Sequence, residues 1–140
     1  MATYINSIED LDAIRNNLSE EYILQRDLDF NDDASYDTPS NKTAYTTGSG
    51  WLLIGDETTP FTGILQGQQH TIKNLYVNRP ADFVGGLFGM MDGGVIYQLI
   101  LENPVVSGYQ AAAFCHTMIG EAAIQYCGLI NANITGSDSA

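Results

Sequence analysis

Short apolar strands recur along this chain at intervals in the twenties, and that recurrence limits the available folds more than any other feature. Ile72-Lys73-Asn74-Leu75-Tyr76-Val77-Asn78 aligns with Ile96-Tyr97-Gln98-Leu99-Ile100-Leu101-Glu102 at an offset of 24. That second segment aligns with Ile124-Gln125-Tyr126-Cys127-Gly128-Leu129-Ile130 at an offset of 28. The match runs on as Asn103-Pro104-Val105-Val106-Ser107-Gly108 against Asn131-Ala132-Asn133-Ile134-Thr135-Gly136. Leu28 lies 47 residues before Leu75, close to two such periods. Short strands at this period are the mark of a solenoid.

Hairpins need two-residue turns between neighbouring strands and gain nothing from repeated sequence. A coil that closes once per period sets equivalent residues above one another, about 4.8 Å apart, with like side chains in columns. The fold class expected is therefore all-β, a short right-handed parallel β-helix. Ile72, Ile96 and Ile124 are expected to form one inward column, and Leu75, Leu99 and Cys127 another. Gly85, Gly93, Gly108 and Gly136 are expected at the corners, where glycine accepts positive φ.

The N-terminal part reads differently. Ser7 to Leu18 predicts one helix, with Ser7 as N-cap, Asp10 three residues on, and Ile8, Leu11, Ile14 and Leu18 on one face. Residues 1–21 thus form a helical cap over one end of the stack, and 22–140 form the coils of the same single domain. Tyr22 to Phe30 alternates as a half-buried strand, with Arg26 as the misfit. Residues 31–50 are polar and read as a loop excursion, either leaving a regular core or mobile.

Charge narrows the partners. Lys and Arg total 5 against 17 Asp and Glu, a formal charge of -12, which lacks the cationic footprint that nucleic acid requires. Anionic membrane surfaces are disfavoured for the same reason. No run reaches the roughly 20 apolar residues of a membrane helix, so no membrane insertion is expected, and the first residues lack the pattern of a secretory signal. Of the 17 carboxylates, 12 fall in residues 1–57. Cys115 and Cys127 define neither a disulfide framework nor a zinc site. They read as small buried hydrophobes, with a disulfide open if the compartment is oxidising.

Phe61-Thr62-Gly63-Ile64-Leu65-Gln66-Gly67-Gln68-Gln69-His70-Thr71-Ile72-Lys73-Asn74-Leu75 resembles the F-T-G-x-F-D-G-N-G-H-T-I-x-N-L segment of surface proteins carrying GLUG repeats. Val84-Gly85-Gly86-Leu87-Phe88-Gly89, followed by Gly93-Gly94-Val95-Ile96, is similar to the repeat's own V-G-G-L-F/V-G … G-G-x-I core. Ser7 to Ile14, Tyr22-Ile23-Leu24, Asp27-Leu28-Asp29 and Trp51-Leu52-Leu53-Ile54-Gly55 resemble the cap, first strand and W-x-P-I-G of such proteins. The resemblance implies filamentous-haemagglutinin-like adhesins, large secreted surface proteins, or phage tail and virion appendages. Two departures stand out. Gln66, Gln68 and Gln69 replace the usual Asp, Asn and Gly, and Ala111-Ala112-Ala113-Phe114-Cys115 is a degraded Gly-Gly-Leu-Phe-Gly element.

Candidate chemistry is sparse. His70 and His116 read as structural, and no catalytic residue is expected. Asp27, Asp29, Asp32 and Asp33 form an acidic face that would at most hold calcium weakly, without the spacing of a recognised calcium loop. Apart from that, no cofactor is expected. Tyr36, Tyr45 and Tyr109 fall in loops or corners and are the ligand-binding candidates, including for a cell-surface glycan; equally, they pack the loop back on the coil. A polysaccharide depolymerase is the alternative. It would need paired carboxylates in a groove, whereas Asp82, Asp92, Glu102, Glu121 and Asp138 come about one per coil.

The expected function is a non-enzymatic structural or adhesive surface module, a phage fibre or decoration protein or a bacterial adhesin fragment. It would sit on a virion, or be secreted or held at a bacterial surface. The last strand has no helix to close it, so a homo-oligomer, most simply a trimer, contact with other virion or surface proteins, or a further downstream domain is expected.

Overall fold

The computed structural model describes residues 2–136, with residues 81–85 described by backbone alone. Ser137, Asp138 and the rest of the C-terminus lie outside the described residues, as does the side chain of Asp82. Strands predominate and helices are few. Every ladder between the strands below is parallel.

The chain visits four sheets in a fixed order. From residue 64 it makes β4 (Ile64–Gln66), β5 (Thr71–Lys73), β6 (Tyr76–Gly85) and β7 (Phe88–Asp92). It repeats the circuit as β8 (Val95–Tyr97), β9 (Ile100–Glu102), β10 (Val105–Ala111) and β11 (Cys115–Ile119). A third circuit gives β12 (Ala123–Gln125), β13 (Gly128–Ile130) and β14 (Asn133–Gly136). Ahead of these lie β1 (Ala2–Ile5), β2 (Glu21–Leu24) and β3 (Leu28–Asp29). The sheets run β1-β2-β4-β8-β12, β3-β5-β9-β13, β6-β10-β14 and β7-β11.

Inward residues stack in columns because each circuit holds the register. Tyr22 lies opposite Leu65, Leu65 opposite Ile96, and Ile96 opposite Ile124. Leu28, Ile72, Leu101 and Leu129 make a second column, and Val77, Val106 and Ile134 a third. Leu65, Ile72, Ile96, Leu101 and Val106 are fully buried. Burying such a side chain contributes about 1.5–3 kcal/mol.

These registers correct the expected columns. Ile96 and Ile124 do stack, but Ile72 sits opposite Leu101 on the next sheet. Leu99 is level with Cys127, whereas Leu75 is level with Pro104. The cause is a motif that recurs within a circuit as well as between circuits. Thr71-Ile72-Lys73-Asn74-Leu75 and Val95-Ile96-Tyr97-Gln98-Leu99 each join a three-residue strand, a left-handed corner (Asn74 φ 63, Gln98 φ 54) and a buried leucine. The offset of 24 matched one corner to a different one.

The corners themselves differ from expectation. Asn74, Asn103 and Asn131 stand level in successive circuits at φ 63, 55 and 53. Asparagine is among the few residues that visit this region readily. Gly93 does have φ 72, but Gly108 and Gly136 lie within β10 and β14, and Gly85 within β6. Glycine is required at Gly67 for another reason: a Cβ there would stand 2.4 Å from the Gln98 carbonyl oxygen.

The N-terminal segment is a strand followed by a helix. β1 adds an edge to the first sheet, so residues 2–5 are not helical as expected. Helix α1 (Ile8–Asp12) follows, with Ser7 Oγ accepting the Asp10 amide at 3.1 Å and Asp10 Oδ2 accepting the Asn6 amide at 2.9 Å. A 3-10 turn over Ala13–Asn16 continues it. The helical stretch stops short of Leu18, because Asn17 is extended and its carbonyl accepts the Tyr22 hydroxyl. Ile8, Leu11 and Ile14 are fully buried. The single strand expected over 22–30 is instead two, β2 and β3, in different sheets; Arg26 lies exposed in the turn between them.

Residues 31–50 are ordered on the core rather than a free loop. They hold 3-10 turns at Asp33–Ser35 and Pro39–Asn41 and helix α2 (Lys42–Thr46). They occupy the place in the first circuit where later circuits have a β6-type strand, with Trp51 N–H donating to the Tyr76 carbonyl at 2.9 Å. Glu9 secures them: its carboxylate accepts the Asp37 amide at 2.9 Å, the Thr38 amide at 2.8 Å and Asn41 Nδ2 at 3.1 Å. Burial pushes the Glu9 carboxyl up, yet these hydrogen bonds together hold it below its ordinary value. A depressed pKa gives stability that is present above the unfolded value and lost as pH falls through the folded one. The melting temperature is therefore expected to drop between about pH 5 and pH 3, and Glu9→Gln is expected to flatten part of that drop. Thermal melts of both proteins across that range check it.

Candidate functional site

The expected ligand-binding tyrosines separate into three situations. Tyr36 is buried, its hydroxyl donates to the Phe30 carbonyl at 2.7 Å, and burial raises its pKa. Tyr45 is half-buried, with ring centroids 5.7 Å from Trp51, 6.1 Å from Tyr36 and 6.2 Å from Phe30. Burial first, and then the Asp12 charge, push its phenol up to about 12. Both rings are packing for residues 31–50, not a binding platform. Tyr109 alone is exposed, at 41%.

The four acidic candidates do not converge. Asp27 Oδ1 accepts the Thr71 amide at 2.9 Å and lies 3.2 Å from His70 Nδ1. The Thr71 hydrogen bond outweighs burial, and His70 and Lys73 add to it, so the Asp27 carboxyl sits below its ordinary value. Asp29 accepts from Asn31 and from Asn74 Nδ2, Asp32 caps Ala34, and Asp33 pairs with Lys42 at 2.6 Å. Among the described residues no group of three or more His, Cys, Asp or Glu is arranged to hold a metal ion. His116 bonds Thr117 and Gln110 rather than joining Cys115 as a ligand. Both cysteines are free thiols, and burial pushes Cys115 up to about 11 and Cys127 upward as well.

The outer face of the five-stranded sheet carries the surface that the sequence reading missed. Register places Tyr4, Ile23, Gln66, Tyr97 and Gln125 in one outward column along the stack. None of the five is charged, in a chain of net charge -12. At one end, Tyr4, Ile23, Gln25, Gln68 and His70 line an open groove of about 370 Å³. At the other, Tyr97 and Tyr126 meet edge to face, with centroids 5.5 Å apart and planes at 86°. Tyr126 is 80% exposed and holds φ 54 at its corner. Gln68 and Gln69 hold consecutive positive φ values of 57 and 64 beside the groove. Strained non-glycine backbone of this kind costs of order 1–3 kcal/mol per residue and gathers at functional sites. The signal was the residue following each inward strand residue, legible only once the register is known.

No family model matches the chain, and no solved structure matches it. Two proteins are similar to it. Halomucin of Haloquadratum walsbyi is 35% identical over 108 residues, which is 74% of this chain and 1% of halomucin. A putative Gly-rich membrane protein of Evansella cellulosilytica is 30% identical over 119 residues, 83% of this chain and 13% of that protein. The chain thus spans a small fraction of both relatives. Among the described residues no helix is long and apolar enough to cross a membrane.

Proposed function

We propose that the chain is a short right-handed parallel β-helix, closed at one end by the Ser7–Asn16 segment, and that it is a non-enzymatic structural and adhesive module of the GLUG-repeat kind on an external surface. The observation that carries this is the fixed order of the four sheets over two full circuits, continued through three of them in a third, each holding parallel register with the last. Burial of Ile8, Leu11 and Ile14 supports the closing role of the helical segment. A repeating scaffold of this sort displays a long outer face while its inward residues serve packing alone.

The names of the two relatives, a mucin and a membrane protein, favour a cell surface over a virion. Brief protease treatment of intact producing cells, followed by mass spectrometry, tests this. Peptides of this chain are expected in the released fraction. Their presence in purified virus particles and absence from cells would overturn the cell-surface reading. Cleavage of a bacterial polysaccharide, abolished by one Asp or Glu substitution, would overturn the non-enzymatic one.

The end of the stack formed by β11–β14 supplies the partner surface. Among the described residues these strands are each paired on one side only. Leu129, Ile130, Ile119 and Met118 are 48%, 43%, 44% and 40% exposed there. Glu121 is the one carboxylate in residues 115–136, while 12 of the 17 lie in residues 1–57. Two copies meeting through this end bury apolar surface and keep their acidic ends apart, so the homo-oligomer proposed is an end-to-end dimer; a trimer, or further coils of a longer chain on this end, is the other arrangement. Light scattering is expected to give a dimer, reduced to monomer by Leu129→Lys. A parent protein that stays monomeric in low and high salt would exclude it.

A further inference from the structure

We propose that the uncharged outward column of the five-stranded sheet binds a neutral polysaccharide laid along the stack, an inference that rests on the surface-module reading and assigns its ligand. The column is Tyr4, Ile23, Gln66, Tyr97 and Gln125, one residue per strand. Adjacent strands are about 4.8 Å apart, so the five rise roughly 19 Å, long enough for several sugar rings. Its chemistry suits hydroxyls. A glutamine amide both donates and accepts, and a tyrosine offers an apolar ring with a polar tip.

The surroundings decide against other ligands. Glu21 is exposed on β2, and the exposed Asp27 lies 3.2 Å from His70 at the edge of the groove. The whole chain carries -12, so an anionic polymer is repelled before it reaches the amides. A protein partner needs an apolar centre to its interface and would sit on the neighbouring outward column, where Ile64, Val95 and Ala123 stand level; in this column Ile23 is the only aliphatic residue. The amides are also partly preorganised. Gln66 Oε1 accepts the Gln68 amide at 3.0 Å, and Gln25 Oε1 accepts Asn6 Nδ2 at 2.7 Å, which leaves the NH2 of each aimed by a fixed oxygen. The groove of about 370 Å³ at Tyr4 and the exposed Tyr97–Tyr126 pair give the strip a ring contact at both ends.

Affinity electrophoresis tests this with a neutral β-glucan, a mannan and a galactan in separate gels, and polygalacturonate in a fourth. Retardation is expected in at least one neutral gel and not in the polyuronate. Tyr126→Ala, at an 80% exposed position that preserves the fold, is expected to weaken binding about tenfold, which is ~1.4 kcal/mol. Gln125→Ala is expected to weaken it severalfold, and far-UV circular dichroism confirms that both variants are folded. Retardation by polyuronate alone, by none of the four, or equally for parent and both variants would overturn the inference. Protein recovered from the cell surface but unretarded would sink the glycan assignment and leave the surface reading standing; protein retarded but absent from the surface would do the reverse.

Discussion

Replacing Trp51 by alanine is expected to lower the unfolding free energy by about 3–5 kcal/mol, a large part of the ~5–15 kcal/mol that holds a typical domain. Trp51 is fully buried and is the chain's one tryptophan. Its ring stands edge-on to Phe30 at 5.6 Å and 5.7 Å from Tyr45, and the Arg15 guanidinium lies 5.5 Å over it. Arg15 in turn donates to the Leu52 and Leu53 carbonyls at 2.8 and 3.2 Å and pairs with Asp12 at 2.7 Å. One ring therefore joins the helical segment, residues 31–50 and the stack. The carbonyl that receives Trp51 Nε1, that of Leu87, also accepts the Ile54 amide, so the loss is mainly packing rather than an orphaned acceptor. Urea unfolding followed by far-UV circular dichroism measures the effect, since the fluorophore is gone. Limited proteolysis is expected to cut within residues 31–50 in the variant and not in the parent. A loss under about 1 kcal/mol would show that this cluster does not anchor the segment.

The second large effect is at the middle of a column. Ile96 is fully buried between Leu65 on one side and Ile124 on the other. Ile96→Ala is expected to cost about 2–5 kcal/mol, since neighbours above and below are held by main-chain ladders and close the gap only partly. Gln125, the outward residue that follows Ile124 and faces solvent, is expected to change stability by no more than ~0.5 kcal/mol when replaced by alanine. Comparing the two by urea midpoint separates column packing from general sensitivity of the sheet. Equal losses for Ile96→Ala and Gln125→Ala would deny that the inward column exists.

The parallel, repeating character of the fold was legible in the strand spacing, and the offset of 28 that joins Ile96 to Ile124 is the true step of the last circuit. The earlier offset was not, because Asn74 and Gln98 make the same left-handed bend at different corners, and a bend motif carries no label for its sheet. Ser7 and its helix were legible for the same reason that caps generally are: the signal is local. Binding and packing could not be told apart for Tyr36 and Tyr45 because polar neighbours surround them in sequence, whereas Trp51 and Phe30 reach them only in space. The outward strip of Tyr4, Gln66, Tyr97 and Gln125 could not be read at all without register, since a one-residue slip exchanges the inner and outer faces.

Backbone nuclear Overhauser contacts in isotopically labelled protein test the stacking itself most directly. The registers require amide contacts of parallel type linking strand residues 64–66 to 95–97 and 95–97 to 123–125, with Ile72 in contact with the Leu101 strand and not with Ile96. Antiparallel contacts between consecutive strands, or contacts that join Ile72 to Ile96, would contradict the account.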